Sequence, residues 1–159
     1  MTLPADPQAR LAVIGAEIAD RVERVLPGWF TGRVAAIADA WGRCPDDVRA
    51  ELDARANAVA PAVAARIAEC LRAQAGVGAA EQRTTPLEEV RSAVGDVTAL
   101  LRSAGIPPVE RDEFAQRAFP DDDYGCVPAS LADLGDDDLG PLGLAWGLAK
   151  ARALHPDED

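Results

Sequence analysis

The sequence predicts an all-α fold, a compact bundle of six or seven helices with an irregular acidic connection near residues 119–140. Three observations support this prediction. Of the 159 residues, 33 are alanine and seven are aromatic, a composition that favours closely packed helices. Apolar residues recur at steps of three and four along most of the chain. We find no alternating pattern typical of strands and no internal repeat.

Three helices are predicted in the first half. The first begins at Asp6–Pro7, an N-cap followed by proline, and ends near Pro27–Gly28. The second carries the apolar stripe of residues 29–41 and ends at a glycine. The third opens at Pro45 and keeps its apolar phase across Pro61, which predicts one long helix with a kink there, although the proline also permits two helices that meet at a corner.

A Gly/Ala-rich loop at 76–84 follows and joins two parts of one predicted domain, 1–159. The N-terminal helical region covers about 6–76 and the C-terminal region about 84–154. The strongest start signal of the chain is Thr85-Pro86-Leu87-Glu88, a capping box with Thr85 as the N-cap. After that helix, a shorter helix is predicted at 110–118, a short helical turn at 128–134 and a last helix at 141–154.

Charge restricts the partners. The chain has 16 basic and 27 acidic residues, a formal net charge of -11, which repels phosphate backbones and anionic lipids. We therefore expect neither nucleic acid nor a membrane as a partner. The acidity is concentrated in 77–159, with seven basic and seventeen acidic residues. No signal-peptide pattern or bilayer-spanning apolar stretch is visible, so we expect a cytoplasmic protein.

The chain is short of the usual catalytic side chains. His155 is the only histidine and lies in a polar C-terminal tail, a poor position for a general base. Cys44, Cys70 and Cys126 are widely spaced, which predicts buried, inert thiols and neither a disulfide framework nor a zinc site. We expect no cofactor, and an enzyme here would depend on carboxylates, arginines or a hard metal ion.

Four segments of the second half carry a resemblance to a known family: 85–94, 101–125, 128–134 and 143–151. They resemble a family of small uncharacterised actinobacterial helical proteins with a variable N-terminal region. The resemblance covers about residues 84–151 and implies a high-GC bacterial origin, which the 15:1 ratio of Arg to Lys also indicates. It implies no activity and no functional residue.

Two aspartate triplets are the candidate metal ligands. They are Asp121, Asp122, Asp123, Asp136, Asp137 and Asp138. Brought together, their oxygens would suit Ca²⁺ or Mg²⁺, although neither triplet has the spacing of an EF-hand loop. We favour solvated acidic loops that cap the following helices, and keep a docking surface for a basic partner and a metal site as alternatives.

Arginines and the single tyrosine form a second set of candidates. Arg91, Arg102, Arg111 and Arg117 would bind an anionic ligand if they faced one pocket. We favour a structural role for Arg111, held by carboxylates such as Glu113 beside an irregular connection. Tyr124 is expected to pack its ring on the helical core with its hydroxyl at the rim, and a catalytic phenol is the alternative.

Two further patterns concern packing. Gly143, Gly147 and Ala151 make a smooth seam on the last helix, for which we favour close packing inside the bundle. Trp29 and Trp41 are expected in the core, with a homodimer or partner surface as the alternative.

The leading functional hypothesis is a non-enzymatic interaction or regulatory module that presents an acidic C-terminal face and self-associates through its aromatic N-terminal helices. One alternative is a carboxylate-based enzyme or Ca/Mg-dependent site at the Asp-rich loops. Another is a binder of small anionic ligands that uses the arginines.

Overall fold

The computed structural model describes residues 2–126 and 128–158, and within these ranges it contains five α-helices and no strand. The helices are α1 (Pro7–Trp41), α2 (Asp46–Ala75), α3 (Pro86–Ser103), α4 (Glu113–Ala118) and α5 (Leu139–Leu154). Short turns of 3-10 helix lie at Ala79–Glu81 and Leu131–Leu134. The all-α class is confirmed, whereas the predicted number of six or seven helices is wrong.

The count falls mainly because α1 continues through Pro27–Gly28, where we predicted a break. A proline inside a helix costs about 3 kcal/mol or more through its missing N–H and its clash with the preceding turn. Leu26 lies before the proline and Phe30 after it, and both are fully buried. Since the apolar stripe keeps its phase, burial on both sides outweighs the local penalty. The predicted turn at 128–134 is a 3-10 turn, which further lowers the number.

The other local signals of the first half are present. Asp6 caps α1 by accepting a hydrogen bond from the Ala9 N–H at 2.7 Å. Gly42 ends the helix in the left-handed conformation, with φ of 67°. α2 is one helix across Pro61, so the predicted continuity is confirmed and the alternative of two helices is wrong.

The predicted capping box of α3 is also present. The Thr85 hydroxyl accepts a hydrogen bond from the Glu88 N–H at 3.3 Å, and the Glu88 carboxylate accepts one from the Thr85 N–H at 2.6 Å. The preceding loop is anchored to the start of α1, because the Gln8 side chain accepts from the Ala79 N–H at 3.0 Å. These bonds set the direction in which α3 leaves the loop.

α1 is the central helix and packs against α2, α3 and α5. Buried residues of the N-terminal and C-terminal regions belong to one hydrophobic cluster, which includes Leu11, Ile67, Leu101 and Leu139. The segment between α3 and α5 is largely irregular, and it contacts α3 through Asp121 and α1 through Asp136. No helix in the described residues is long and apolar enough to cross a membrane.

Candidate functional site

A large apolar groove lies beside α5, with a volume of about 640 Å³. We call it the α5 groove. It is formed by the start of α3, the segment leading into the second 3-10 turn, and one side of α5. Its lining residues are Thr85, Pro86, Leu87, Ala129, Ser130, Leu131, Gly140, Pro141, Gly143, Leu144, Trp146 and Gly147. None of them carries a side chain that titrates near neutral pH.

Small residues of α5 shape this groove. A Cβ on Gly143 would stand 2.9 Å from Leu131 Cδ1, so this glycine allows the 3-10 turn to pack closely on the helix. A Cβ on Gly147 would meet nothing within 4 Å, so this glycine opens the groove. Trp146 is buried, and the Lys150 ammonium lies 4.9 Å from the centre of its ring. The groove is thus backed by a packed part of the core.

The exposed side of α5 is apolar as well. Leu144 is 74% exposed and Leu148 is 64% exposed, although both belong to a regular helix. We call the exposed uncharged residues of this helix the α5 stripe: Pro141, Leu144, Gly147, Leu148, Ala151 and Leu154. Members of the stripe that lie three or four positions apart, such as Leu144 and Leu148, share one side of the helix. A contiguous apolar patch of this kind is typical of an interaction surface.

The predicted seam on α5 is therefore only partly correct. Gly143 is half-buried and packs inside the bundle, whereas Gly147 and Ala151 are exposed. The sequence interpretation missed Leu144 and Leu148, which it left inside the last helix without a role. The available signal was that α5 has apolar residues on all sides, more than one buried face needs.

The first aspartate triplet organises a loop. Asp122 is buried, and its Oδ1 accepts hydrogen bonds from the Tyr124 N–H at 3.2 Å and the Cys126 N–H at 2.9 Å. Burial and the nearby Asp122 carboxylate raise the pKa of the Cys126 thiol to about 12. Tyr124 packs in the core and donates its hydroxyl to the Ile106 carbonyl oxygen at 2.6 Å, and burial raises its pKa. These contacts support a structural role for this loop.

Asp123 of the same triplet forms ion pairs with arginines. It contacts the Arg102 guanidinium directly, and Arg111 Nη2 lies 3.8 Å from its Oδ1. Arg111 also donates to the Phe119 carbonyl oxygen at 2.7 Å. Arg111 thus joins the two ends of an irregular connection, through Asp123 rather than through Glu113.

The second triplet attaches α5 to α1. Asp136 lies 2.8 Å from Arg24 Nη2, and Asp138 contacts Arg21. The Asp138 N–H donates to Asp136 Oδ1 at 3.0 Å, and this bond, followed by the Arg24 side chain, lowers the pKa of Asp136. Asp137, between them, is exposed. The acidic start of α5 is therefore an anchoring point on the central helix.

The aspartates do not assemble into a metal site. In residues 2–126 and 128–158, no group of three or more His, Cys, Asp or Glu side chains is placed to hold a metal ion. The two triplets instead contact different arginines, from α3 and its following segment in one case and from α1 in the other. The geometry required for the metal hypothesis is thus missing from the described residues.

The four candidate arginines do not face one pocket. Arg91 lies 5.4 Å from the centre of the Phe119 ring and lines a cavity of about 90 Å³ that none of the other three lines. Arg102 and Arg111 contact Asp123, and exposed Arg117 lies 3.9 Å from Glu113. The arrangement contains no shared guanidinium site for an anionic ligand.

The remaining candidates divide between core and surface. Trp29 is 8% exposed and belongs to the core, so it offers no aromatic surface to a partner. Trp41 is half-buried and lines a second groove of about 320 Å³. Cys126 is buried as predicted, but Cys44 is only half-buried and Cys70 is exposed, so the prediction of three buried thiols is wrong.

The comparison of this chain with protein-family models, curated proteins and solved structures found no match.

Proposed function

We propose that this chain is a non-enzymatic protein-interaction module that binds an apolar protein segment in the α5 groove. One observation carries the proposal: a groove of about 640 Å³ with an apolar lining lies beside two leucines, Leu144 and Leu148, that are 74% and 64% exposed. Fully burying a leucine side chain stabilises a complex by roughly 1.5–3 kcal/mol. Burying Leu144 and Leu148 against a partner would therefore stabilise a complex, because the fold itself leaves them exposed.

The groove is open along one side, unlike a pocket that encloses most of a small ligand's surface. Thr85 and Ser130 are polar residues of its lining. Leu144 lies in the lining with 74% of its surface exposed, and Leu148, which is 64% exposed, follows on the same helix. A combined concave and convex apolar surface favours a macromolecular partner.

An acidic face accompanies the groove in this proposal. Phe114 on α4 is 76% exposed, and exposed Glu110, Asp112 and Glu113 precede it. Such a surface favours basic partners over anionic ones. We further propose that the protein acts in the cytoplasm, among protein partners.

A peptide selection tests the proposal. The immobilised chain is screened with displayed amphipathic peptides, and the affinity of each enriched peptide is measured by calorimetry. We expect Gly147→Leu to weaken peptides selected by the wild-type chain at least about tenfold, because the new side chain fills the groove. The first carbon of the new side chain meets nothing within 4 Å, so the backbone of α5 can carry it without a clash.

Gly32→Leu is the matched control. Gly32 is also an exposed helical glycine with open space around it, but it lies on α1 and outside the groove lining. Its variant should bind the selected peptides like the wild type. Equal affinities for the wild type and the Gly147→Leu variant would refute the groove as the binding surface.

A further inference from the structure

Two capping boxes place carboxylates at the edge of the α5 groove. The Glu88 carboxylate accepts a hydrogen bond at 2.6 Å from the N–H of Thr85, which is a lining residue. The Asp133 carboxylate accepts one at 2.7 Å from the N–H of Ser130, which also lines the groove. Both carboxylates are therefore held beside the groove by local bonds of its own walls.

Asp137 is a third carboxylate next to the groove. It lies four positions before Pro141 of the lining and is exposed, whereas its two neighbours pair with arginines of α1. Glu88 and Asp133 are exposed as well. Within residues 2–126 and 128–158, none of these three carboxylates forms an ion pair. We call Glu88, Asp133 and Asp137 the rim carboxylates.

The first cations that follow the lining segments of α3 and α5 lie over aromatic rings. Lys150 Nζ is 4.9 Å from the centre of the Trp146 ring, and the Arg91 guanidinium is 5.4 Å from the centre of the Phe119 ring. These two positive charges only partly offset the three rim carboxylates. Residues 152–158 then add one exposed arginine and two exposed acids. The surroundings of the groove are thus net acidic, like the chain as a whole.

The length of the groove suits about two turns of a partner helix. Along α5 the lining runs from Gly140 to Gly147, a distance of about 10 Å at 1.5 Å per residue. Apolar residues at positions i and i+7 of a partner helix are equally far apart, with those at i+3 and i+4 between them. The described residues contain no strand, so they offer an extended partner no sheet edge. The groove therefore favours an amphipathic helix.

We infer, on the basis of the proposed function, that the α5 groove binds an amphipathic helix of another protein whose apolar face enters the groove and whose flanking lysines or arginines pair with the rim carboxylates. The apolar contact supplies most of the affinity. The charges select among partners, because opposite charges across an interface speed the encounter and like charges oppose it.

Two helical peptides with the same apolar face test the inference. Both carry leucines at i, i+3, i+4 and i+7, and they differ only in their flanking residues, which are lysines in one and glutamates in the other. At low ionic strength, calorimetry with the full wild-type chain should show at least about tenfold tighter binding of the lysine peptide, because each exposed ion pair contributes up to about fivefold. High salt should reduce this preference, since it screens exposed charges.

Amide variants locate the origin of the preference. Glu88→Gln with Asp133→Asn removes two rim carboxylates and keeps the side-chain oxygens that accept the capping N–H groups. This rim variant should lower the preference for the lysine peptide about fivefold or more. Glu110→Gln with Glu113→Gln is the matched control, because it removes two exposed carboxylates outside the groove and changes the net charge equally. The control should keep the wild-type preference.

The outcomes separate the inference from the proposed function. Equal affinities of the two peptides for the wild type overturn the basic partner. A preference that the rim variant and the control retain equally also overturns it, because such a preference comes from net charge alone. In both cases, binding that Gly147→Leu weakens leaves the groove as an apolar interaction site. If neither peptide binds, the inference fails, and the groove fails with it when the selection also yields no peptide that Gly147→Leu weakens.

Discussion

α3 and α5 are helices of similar length in the same bundle, but they use their apolar residues differently. α3 buries Val90, Val94, Val97 and Leu101 on one side and presents a mostly polar outer face. In α5 the fully or largely buried residues are Leu139, Trp146 and Ala149, and an apolar stripe faces outward. The comparison teaches that the apolar content of a helix measures its capacity for burial, whereas the neighbouring elements decide how much of it is used.

The largest expected change in the free energy of unfolding comes from truncating a leucine on α3, and the same substitution on α5 is its comparison. Leu101→Ala removes a fully buried side chain and should lower the free energy of unfolding by about 2–5 kcal/mol. Leu144→Ala changes a side chain that is 74% exposed and should change it by less than about 0.5 kcal/mol. Urea denaturation of the chain checks both. Similar losses at the two positions would show that the α5 stripe belongs to the core.

The next effect concerns the loop that covers α3. Thr98 of α3 donates its hydroxyl to the Asp121 carbonyl oxygen at 3.2 Å, and buried Asp122 holds that loop in place. Asp122→Ala leaves buried N–H donors without their acceptor, so we expect a loss of about 1–3 kcal/mol in the free energy of unfolding. In the wild type, burial and the Asp122 carboxylate raise the pKa of the Cys126 thiol to about 12, which keeps the thiol unreactive. In the Asp122→Ala variant, Cys126 should therefore react faster with a thiol reagent than it does in the wild type.

Asp121→Ala is the control for this loop. The Asp121 side chain is exposed and its backbone carbonyl remains after substitution, so its stability should change by less than about 0.5 kcal/mol. Cys70, which is exposed, supplies the internal reference for rapid thiol reaction. An Asp122→Ala variant as stable as the control would contradict the role of this carboxylate.

The start of α3 provides a smaller effect. Thr85→Ala removes the oxygen that accepts the Glu88 N–H and should cost about 1 kcal/mol. Thr85→Ser keeps that oxygen and should restore most of the stability. The two variants are compared by thermal and urea denaturation, and equal stabilities would show that the hydroxyl does not act as the cap.

The smallest effect concerns the anchor of α5 on α1. The Asp138 N–H and Arg24 lower the pKa of Asp136 below its ordinary value of 3.8. The folded state therefore gains stability above that value and loses it as the pH falls through the lowered pKa. Asp136→Asn should remove this contribution, so its stability should fall less steeply than the wild type's on acidification below about pH 4. Denaturation curves between neutral and acidic pH measure how the stability of each protein depends on pH. The same pH dependence in the wild type and in Asp136→Asn would contradict a stabilising role for the Asp136 carboxylate.

Several features were predictable because their signals are local. The α3 capping box is a contact among Thr85 and residues within three positions, and the phase of the α2 stripe across Pro61 is visible without the partner helix. The break at Pro27–Gly28 was also a local inference, and it was wrong because burial along α1 outweighs the proline's effect. Local signals thus describe preferences that tertiary packing overrides where enough apolar surface is at stake.

The candidate site was less predictable because its determinants are distant in sequence. Asp136 and Asp138 contact arginines more than a hundred positions earlier, so the sequence could not distinguish metal ligands from ion-pair partners. The α5 groove combines the start of α3, a 3-10 turn and α5. The groove is open at Leu144 because no other element packs over that side chain, which is 74% exposed.

By itself, the sequence determined that this protein is helical, acidic and poor in catalytic side chains, because composition, periodicity and caps are properties of short stretches. The tertiary structure decided that α1 is unbroken, that the arginines neutralise Asp123, Asp136 and Asp138, and that one side of α5 stays uncovered. The physical reason is that burial and ion pairing depend on which distant residues become neighbours.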